Sequence, residues 1–331
     1  MNFIDNLKEK VKKYNKTIVL PESSDIRTLK AASMIKKEDF CNIILIGNEE
    51  QIYLKAQLES VDINGIKIID PLTYEKTDEL VNNFFELRKN KGITLESAKK
   101  LITEDYLYFG NMLVKLNLAD GLVAGAIHSS GDVLRPALQI IKTKKEIKTA
   151  SSFFIMDTKT KYGSNGIFIY SDSGMNQNPT SEQLADIAYS SNESFKNLIE
   201  ETPMVAFLSH STYGSAKHDD VTKVTDALKI TREKYPNIIA DGELQFDAAI
   251  IEEIAKMKCP TSKVAGKANV LIFPDLDSGN IAYKITERLC GADAYGPLTQ
   301  GLDKPINDLS RGCNEFDIVG VVAITCAQSI N

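Results

Sequence analysis

The strongest constraint on the fold is the alternation of short apolar segments with amphipathic segments along the first part of the chain. Strands are predicted at 17–22, 42–46 and 66–69, and helices at 2–14, 25–37, 49–58 and 75–90. Neighbouring parallel strands need a crossover connection, usually a helix, so this alternation predicts βαβ units and a mostly parallel sheet. Ligands of such α/β folds bind outside the carboxyl ends of the strands. The loops that follow strands are therefore the first candidates for a functional site.

The length of 331 residues favours two domains. A second series of elements begins after the polar segment 142–150, and further strands are predicted at 151–156, 166–170, 204–208, 237–240 and 269–273. The segment 291–297 is predicted to bring the chain back to the first domain. We therefore predict two α/β domains, one formed by residues 1–145 and 296–331 and the other by 146–295, with a substrate cleft between them.

The composition excludes several classes of protein. Apolar residues make up 43% and charged residues 25% of the chain, which is typical of a soluble globular protein. The formal net charge of −6 argues against general binding of nucleic acid or of anionic membranes. The amphipathic N-terminal segment lacks the apolar core of a signal peptide, and no apolar run approaches membrane-spanning length.

The cysteines indicate a reducing compartment. Cys41, Cys259, Cys290, Cys313 and Cys326 are scattered, odd in number and without the spacing of a zinc site. Free thiols are the natural interpretation, so we predict a cytoplasmic protein.

The segment 296–328 contains the most informative group of polar residues. It opens as a loop rich in Gly and Pro and ends as an apolar helix, and Ser310 and Arg311 stand just before that helix, with Asp317 soon after. A helix N-terminus attracts anions, and an arginine binds phosphate through two parallel hydrogen bonds. The segment thus predicts a place where a phosphate-bearing substrate meets a hydroxyl and a carboxylate. The alternative is an ordinary helix start, in which Asp317 only stabilises the first turn.

A second segment repeats this pattern. The strand predicted at 119–126 is followed by a loop with His128, Ser129 and Ser130, and then by a helix with Arg135. Backbone N–H groups of such a loop can bind a phosphate. His128 has the chemistry of a general base, but a hydrogen bond within its own turn is the preferred interpretation.

Arginine is scarce, which draws attention to each one. There are six arginines against 33 lysines. They are Arg27, Arg88, Arg135, Arg232, Arg288 and Arg311. Each is a candidate for a task that needs the planar guanidinium, although Arg232 is interpreted as a surface residue and Arg88 also fits an ordinary helix end.

No metal site is predicted. Asp275 and Asp277 follow a predicted strand, a position at which carboxylates can hold a metal. The helix predicted from about Ser278 favours helix capping by these residues instead.

Taken together, these segments resemble the phosphotransacetylases, or phosphate acetyltransferases, of the phosphate acetyl/butyryltransferase family. The resembling stretches are 119–141 (ADGLVAGAIHSSGDVLRPALQII), 178–188 (NPTSEQLADIA), 240–250 (ADGELQFDAAI), 270–302 and 296–328. The resemblance covers almost the whole chain in one order. It implies the isocitrate/isopropylmalate dehydrogenase-like fold and a homodimer. The chain departs from many relatives at Ser173, where they have a cysteine, so a mechanism that needs a thiol there would not apply.

The resemblance implies reversible transfer of an acetyl group between acetyl phosphate and coenzyme A, with direct attack of the thiol in a ternary complex. Asp317 is the expected base and Ser310 is expected to orient the thiol. The residues expected to bind the phosphate or polarise the carbonyl are Arg311, Arg135, Arg88, Ser129 and Ser130. Coenzyme A is then a substrate, and no permanently bound cofactor is expected.

Four alternatives stay open at this point. Cys313 offers a covalent route in which the thiol is acetylated and then passes the group on. A butyryl group in place of acetyl uses the same chemistry. Domains of similar sequence are appended to malic enzymes, so a non-catalytic module that senses acetyl-CoA is a third alternative. A nucleotide-dependent dehydrogenase is the fourth, but segment 21–24, PESS, stands where that class has its glycine-rich motif.

Overall fold

The computed structural model describes residues 3–330, which form two compact units. The first unit is formed by the chain up to Thr143 and from Leu302 onward, and the second is Lys144–Gly301. Residues 1, 2 and 331, which were assigned to the first predicted domain, lie outside the described residues. Residues 144, 145 and 296–301 were also assigned to that domain, but they belong to the second unit, and residues 296–300 continue a strand of its sheet.

The first unit contains one parallel sheet with helices between its strands. Its elements are α1 (Phe3–Lys12), β1 (Thr17–Leu20), α2 (Ile26–Glu38), β2 (Asn42–Ile46), α3 (Glu49–Leu58), β3 (Lys67–Ile69), α4 (Thr77–Arg88), α5 (Leu95–Glu104), α6 (Tyr106–Lys115), β4 (Gly121–Ala124), α7 (Ser130–Pro136), β11 (Ile306–Asp308) and α13 (Glu315–Gln328). A short 3₁₀ turn, Lys89–Lys91, follows α4, and a π-helical turn, Ala137–Ile141, follows α7. The strand order is β11-β4-β1-β2-β3.

The sequence explains these elements. Ile18, Val19 and Leu20 of β1 are at most 1% exposed, as expected for a parallel strand covered on both faces. The side chain of Asp25 accepts a hydrogen bond from the backbone N–H of Arg27, which confirms the predicted cap of α2. Helix α13 is buried along nearly its whole length, which accounts for its continuous apolar sequence.

The second unit contains a mixed sheet. Its elements are β5 (Ser151–Asp157), β6 (Ile167–Ser171), α8 (Ser181–Ile199), β7 (Val205–Leu208), α9 (Asp219–Lys234), β8 (Ala240–Leu244), α10 (Phe246–Ile250), α11 (Glu252–Lys258), β9 (Val270–Ile272), α12 (Leu276–Cys290) and β10 (Asp293–Gln300). The strand order is β10-β5-β6-β9-β7-β8. Strand β5 is antiparallel to β6 and β10, which confirms the predicted pairing of 151–156 with 166–170.

A buried polar network holds β10 in this sheet. The Gln300 amide nitrogen lies 2.9–3.0 Å from the hydroxyls of Ser151, Ser171 and Ser191, and its amide oxygen accepts a hydrogen bond from Ser194. Because buried polar groups need partners, these bonds fix the end of β10 against its neighbours. Single polar residues spread over several elements gave no sequence pattern, so β10 was not predicted.

Within residues 3–330, no helix combines the length and the apolar character that a membrane span requires.

Candidate active site

Three loops meet at one edge of the first sheet. Strands β11, β4 and β1 are neighbours and run parallel, so their carboxyl ends lie at the same edge. The register pairs Asp308 of β11 with Ala124 of β4. The segments with the predicted site residues, Ser129–Ser130 and Ser310–Arg311, both follow these paired strand ends.

The loop after β4 is organised around a carboxylate that the sequence did not predict. Glu22, 2% exposed, follows β1 and accepts hydrogen bonds from four consecutive backbone N–H groups. Its Oε2 lies 2.9 and 2.8 Å from the nitrogens of Gly125 and Ala126, and its Oε1 lies 3.1 Å from each of those of Ile127 and His128. The charge of this buried carboxylate is thus satisfied entirely by the loop that it holds.

The prediction that His128 forms a hydrogen bond within its own turn is wrong. Its Nδ1 lies 2.7 Å from Oε1 of Glu22, which belongs to a different loop. The only sequence signal for this arrangement was an acidic residue directly after a buried strand, at the edge where ligands and loops gather.

A second tie joins the loops after β4 and β11. Arg27 donates from Nη1 to the carbonyl oxygens of Arg311 and Cys313, at 2.9 and 2.8 Å, and from Nη2 to that of Ala126, at 2.8 Å. Asp25, 2.7 Å from Nη2, orients the guanidinium, and this hydrogen bond lowers the pKa of Asp25. Arg27 therefore performs a task that only the five-donor fork can do.

The side chains of Ser310 and Arg311 both point outward. They are exposed, while Leu309 before them is buried and its N–H bonds to the carbonyl of Ala124. The arginines that pair with a carboxylate are Arg27, Arg135, Arg232 and Arg288. For Arg311 and Arg88 no such partner is found among residues 3–330, so the charge of Arg311 is both exposed and uncompensated.

The loop after β4 presents its hydroxyls at the start of α7. Ser129 forms a reciprocal capping box with Asp132, and its hydroxyl donates to the Asp132 carboxylate at 2.6 Å. Ser130 is exposed at the start of α7, and its hydroxyl lowers the pKa of Asp308 at the end of β11, against the larger effect of burial. The two predicted serines are thus brought beside the strand that leads to Ser310.

Arg88 and Arg135 are brought together at Tyr108 of α6. Burial raises the pKa of the Tyr108 phenol, and the charges of Arg135 and Arg88 both oppose this shift. The Arg135 side chain is 60% exposed and pairs with Asp132 at 3.5 Å. Two cations distant in sequence therefore act on one buried phenol.

Asp317 takes part in capping helix α13, as the alternative interpretation of this segment predicts. Its Oδ2 accepts a hydrogen bond from the backbone N–H of Asn314 at 2.9 Å, and the Asn314 side chain accepts one from the Asp317 N–H at 3.0 Å. The residue is exposed. This capping box uses one carboxylate oxygen, and a catalytic role of Asp317 stays a prediction.

Cys313 is poorly suited to nucleophilic chemistry. Its side chain is 7% exposed, and burial raises the pKa of its thiol to about 11. The thiolate is the reactive form, so little of it exists near neutral pH.

The predicted cap at Asp275 is confirmed, since its Oδ1 accepts a hydrogen bond from the Ser278 N–H at 2.8 Å. In the described range, 3–330, no group of three or more His, Cys, Asp or Glu side chains is arranged to hold a metal ion.

Comparison with known proteins assigns the chain to a family. Residues 2–326 match the family model described as "Phosphate acetyl/butaryl transferase". The chain belongs to this family. The phosphate acetyltransferase of Acetivibrio thermocellus is 53% identical over 330 residues, which cover 99% of this chain and 98% of that protein.

Solved structures show the same fold. A phosphotransacetylase from Streptococcus pyogenes superposes with a TM-score of 0.93 at 44% identity, covering 99% of this chain and 98% of that one. A structure assigned to 4-hydroxythreonine-4-phosphate dehydrogenase of Salmonella typhimurium superposes with a TM-score of 0.55 at 11% identity, covering 94% of this chain and 99% of that one. This second likeness concerns the fold alone, and it supports the predicted relation to dehydrogenase-like folds.

Glu22→Gln should lower the free energy of unfolding by about 3 kcal/mol, because the amide replaces one acceptor oxygen with an NH₂ group that faces backbone N–H donors. Urea denaturation followed by circular dichroism measures the change. The exposed Glu59→Gln is the matched control and should alter stability by less than about 0.5 kcal/mol. Equal denaturation midpoints for the two variants would show that the loop does not depend on this carboxylate.

Proposed function

We propose that the protein is a phosphate acetyltransferase, an acyltransferase that reversibly converts acetyl-CoA and phosphate into coenzyme A and acetyl phosphate. The observation that carries the proposal is the exposed Arg311, which has no carboxylate partner among residues 3–330, beside Ser310 at the carboxyl edge of the first sheet. Family membership and full-length similarity to a protein named phosphate acetyltransferase support it. The substrates are small molecules, and no permanently bound cofactor takes part.

The reaction needs three contributions from the protein. The thiol of coenzyme A must lose its proton, the phosphate dianion must be held, and the oxyanion of the tetrahedral centre must be stabilised. A free thiol has a pKa of about 8.5, so a nearby acceptor of its proton helps. In our proposal Asp317 is that acceptor, through the carboxylate oxygen that the capping box leaves open, and Ser310 orients the thiol.

The transfer step is a direct substitution at the acetyl carbon. The sulfur of coenzyme A forms a bond to the carbonyl carbon, and the bond between that carbon and the phosphate oxygen breaks with its electron pair passing to phosphate. Arg311, Arg135 and Arg88 stabilise the charge on the phosphate and on the carbonyl oxygen. Ser129 and Ser130 add hydrogen bonds. Both substrates are bound at once, so positioning supplies much of the rate.

Arg311→Ala should reduce kcat/KM by about 10²- to 10³-fold, because a charged group next to the developing oxyanion and the departing phosphate is lost. Arg311→Lys keeps the charge without the planar fork and should recover only part of the rate. The assay is the phosphate-dependent release of coenzyme A from acetyl-CoA, with the exposed Lys37→Ala as control. Turnover of Arg311→Ala within about threefold of wild type would refute the site assignment.

Cys313→Ala should keep the rate of wild type to within about threefold, because the buried thiol is protonated at neutral pH and is not the nucleophile. Rapid mixing with acetyl phosphate, followed by mass spectrometry, tests the same point in the wild type. An acetylated Cys313 that forms at the rate of turnover would establish the covalent route instead.

Two other functions can be distinguished from the proposed one by the ligands that the protein binds or converts. A phosphate butyryltransferase would show a higher kcat/KM with butyryl phosphate than with acetyl phosphate. A sensing module would bind acetyl-CoA without turnover. The charge of Arg311, which has no carboxylate partner in the described range, favours catalysis, because a module that only senses a thioester does not need a cation for a departing phosphate.

The proposal includes a cytoplasmic homodimer. The free cysteines support a reducing compartment. An apolar stripe on α12 supports self-association: Ile281, Ile285 and Leu289 are spaced by four residues and are 56%, 51% and 81% exposed. Exposed apolar side chains that align on one face of a helix are typical of an interaction surface.

Leu289→Lys should convert the dimer to a monomer, because it places a charge within the apolar stripe. Light scattering after size-exclusion chromatography measures the mass. Leu58→Lys, a 76% exposed position on α3, is the matched control and should remain dimeric. A wild-type protein that is monomeric at all concentrations would exclude the dimer.

A further inference from the structure

The transfer step proposed above leaves one proton unassigned. The ionised phosphoryl group of acetyl phosphate carries two negative charges, so breaking the bond between the carbonyl carbon and the bridging oxygen releases phosphate with three. Such a trianion is a much poorer leaving group than the hydrogen phosphate dianion. A proton delivered to the bridging oxygen as the bond breaks removes this cost. The reverse reaction has the same requirement, because hydrogen phosphate must lose its proton as it attacks acetyl-CoA.

Most residues of the proposed site cannot supply this proton. An arginine is not deprotonated in proteins, which excludes the three arginines of the site. The two serines are poor proton donors, because an alcohol is a weak acid and the Ser129 hydroxyl already donates to Asp132 at 2.6 Å. Asp317 receives the proton of the thiol in the proposed mechanism. The group that serves the phosphate is therefore a different one.

The imidazole of His128 is held through one of its two ring nitrogens. Nδ1 lies 2.7 Å from Oε1 of Glu22, a carboxylate that is 2% exposed. The same oxygen accepts hydrogen bonds from the backbone N–H groups of Ile127 and His128. Because Glu22 acts as the acceptor, the hydrogen of the contact with the ring belongs to Nδ1. This hydrogen bond fixes both the tautomer and the orientation of the ring.

The other ring nitrogen, Nε2, is available to a ligand. Among residues 3–330 no hydrogen-bond partner is found for it, and the His128 side chain is 38% exposed. With a hydrogen fixed on Nδ1, Nε2 carries a proton in the charged ring and a lone pair in the neutral ring. An imidazole changes between these forms near neutral pH, so it can both give and take a proton. The other two histidines, His210 and His218, belong to the second unit.

The contacts of Arg27 place the loop of His128 at the candidate site. Its guanidinium bonds to the carbonyl oxygen of Ala126 at 2.8 Å and to that of Arg311 at 2.9 Å. The backbone two residues before His128 and the backbone of Arg311 are therefore held within the span of one guanidinium. His128 also directly precedes the two serines that were predicted to contact phosphate.

We propose that His128 is a catalytic residue, the general acid that protonates the departing phosphate through Nε2. The inference rests on the proposed function. As the bond between the carbonyl carbon and the bridging oxygen breaks, its electron pair goes to that oxygen. The Nε2–H bond breaks with its electron pair remaining on nitrogen, and the proton forms an O–H bond on the bridging oxygen. Phosphate leaves as the hydrogen phosphate dianion, and the His128 ring is left neutral.

The proton transfers balance over one turnover. Asp317 gains the proton of the thiol and His128 loses one to phosphate, and solvent reaches both side chains and restores their starting forms. In the reverse direction the neutral Nε2 takes the proton of hydrogen phosphate as its oxygen attacks the carbonyl carbon, and Asp317 returns a proton to the departing thiolate. Glu22 keeps the ring in place throughout and exchanges no proton.

The first test is His128→Asn. The asparagine amide can donate to Glu22 in place of Nδ1 but has no proton to transfer. The kcat with acetyl phosphate and coenzyme A should fall by about 10²- to 10⁴-fold, the usual contribution of general acid–base catalysis. His218→Asn is the matched control, because His218 caps α9 and asparagine caps helices well, and it should keep kcat within about threefold. The same kcat for His128→Asn as for this control would overturn the proposal.

The second test separates proton transfer from support of the loop. In methyl acetyl phosphate one phosphate oxygen carries a methyl ester, so the leaving group departs as a dianion without receiving a proton. His128→Asn should therefore lower kcat with this donor by less than about threefold, while the loss with acetyl phosphate stays large. An equal loss with both donors would show that His128 only supports the structure.

Chemical rescue applies if the wild type does not turn over the methylated donor. Because the position is partly exposed, a small heterocycle can enter the space that His128→Ala leaves. Added imidazole should restore activity, whereas pyrazole, which has the same size but is not protonated at neutral pH, should not. Equal rates with the two compounds would contradict the proposal.

The wild type alone provides a test if the variants at position 128 do not fold. Its kcat should fall more in D₂O with acetyl phosphate than with methyl acetyl phosphate, because only the first donor needs a proton on its leaving group. The thiol contributes equally in both reactions. Equal solvent isotope effects would overturn the proposal.

Failure of the proposed function looks different from failure of this inference. In that case the wild type would release no coenzyme A from acetyl-CoA in the presence of phosphate. A wild type that turns over, at a rate that depends on Arg311 but not on His128, would leave the proposed function standing and remove the role of His128 alone.

Discussion

The candidate site depends on one buried carboxylate, that of Glu22, which accepts hydrogen bonds from four backbone N–H groups. Without Glu22, the loop after β4 would leave consecutive donors unsatisfied near the protein interior, at a cost of about 1–3 kcal/mol each. The carboxylate in turn is tolerated only because those donors surround it. Each partner requires the other, so the loop has one well-defined conformation. Ser129, Ser130 and the start of α7 take their positions from it.

Two arginines at this edge of the first sheet differ in how their charges are paired. Arg27 has its guanidinium saturated by Asp25 and by three backbone carbonyls, one of which belongs to Arg311. The Arg311 side chain is exposed and unpaired within residues 3–330. Arg27 thus fixes the backbone at Arg311 and leaves the Arg311 side chain exposed. In the proposed mechanism this fixed backbone brings the Arg311 charge near the substrate before the reaction begins, which favours electrostatic catalysis.

Much of the architecture could be predicted because it follows from local pattern. The alternation of apolar and amphipathic segments gave the parallel sheet of the first unit, and the residues Asp25 and Asp275 gave two helix starts. The loop after β4 was found because ligands bind at strand ends, and the segment after β11 was found because Ser310 and Arg311 stand just before a predicted helix. Strand β8 was misplaced. It was predicted to end at 240, where it begins, because Asp241 and Glu243 are buried by hydrogen bonds and not by apolar character.

The residues that support the site were the hardest to predict. Glu22 and Asp308 are acidic residues at strand ends, a pattern that occurs in many loops without any burial. Their environment is created by residues about a hundred or more positions away, which no local rule can anticipate. Cys313 illustrates the reverse case: its position two residues after Arg311 suggested reactivity, and burial removes it. Sequence therefore indicates which groups are present, whereas their protonation depends on the assembled neighbourhood.

The order of the strands also has a consequence for synthesis on the ribosome. Strand β11 and helix α13 belong to the first unit but are translated after the whole of Lys144–Gly301. Until they emerge, β4 has an open edge and Arg27 lacks two of its three carbonyl partners. The nascent chain therefore carries an unfinished first sheet while the second unit can already fold, and Ser310 and Arg311 reach the edge of that sheet only after the second unit has been translated.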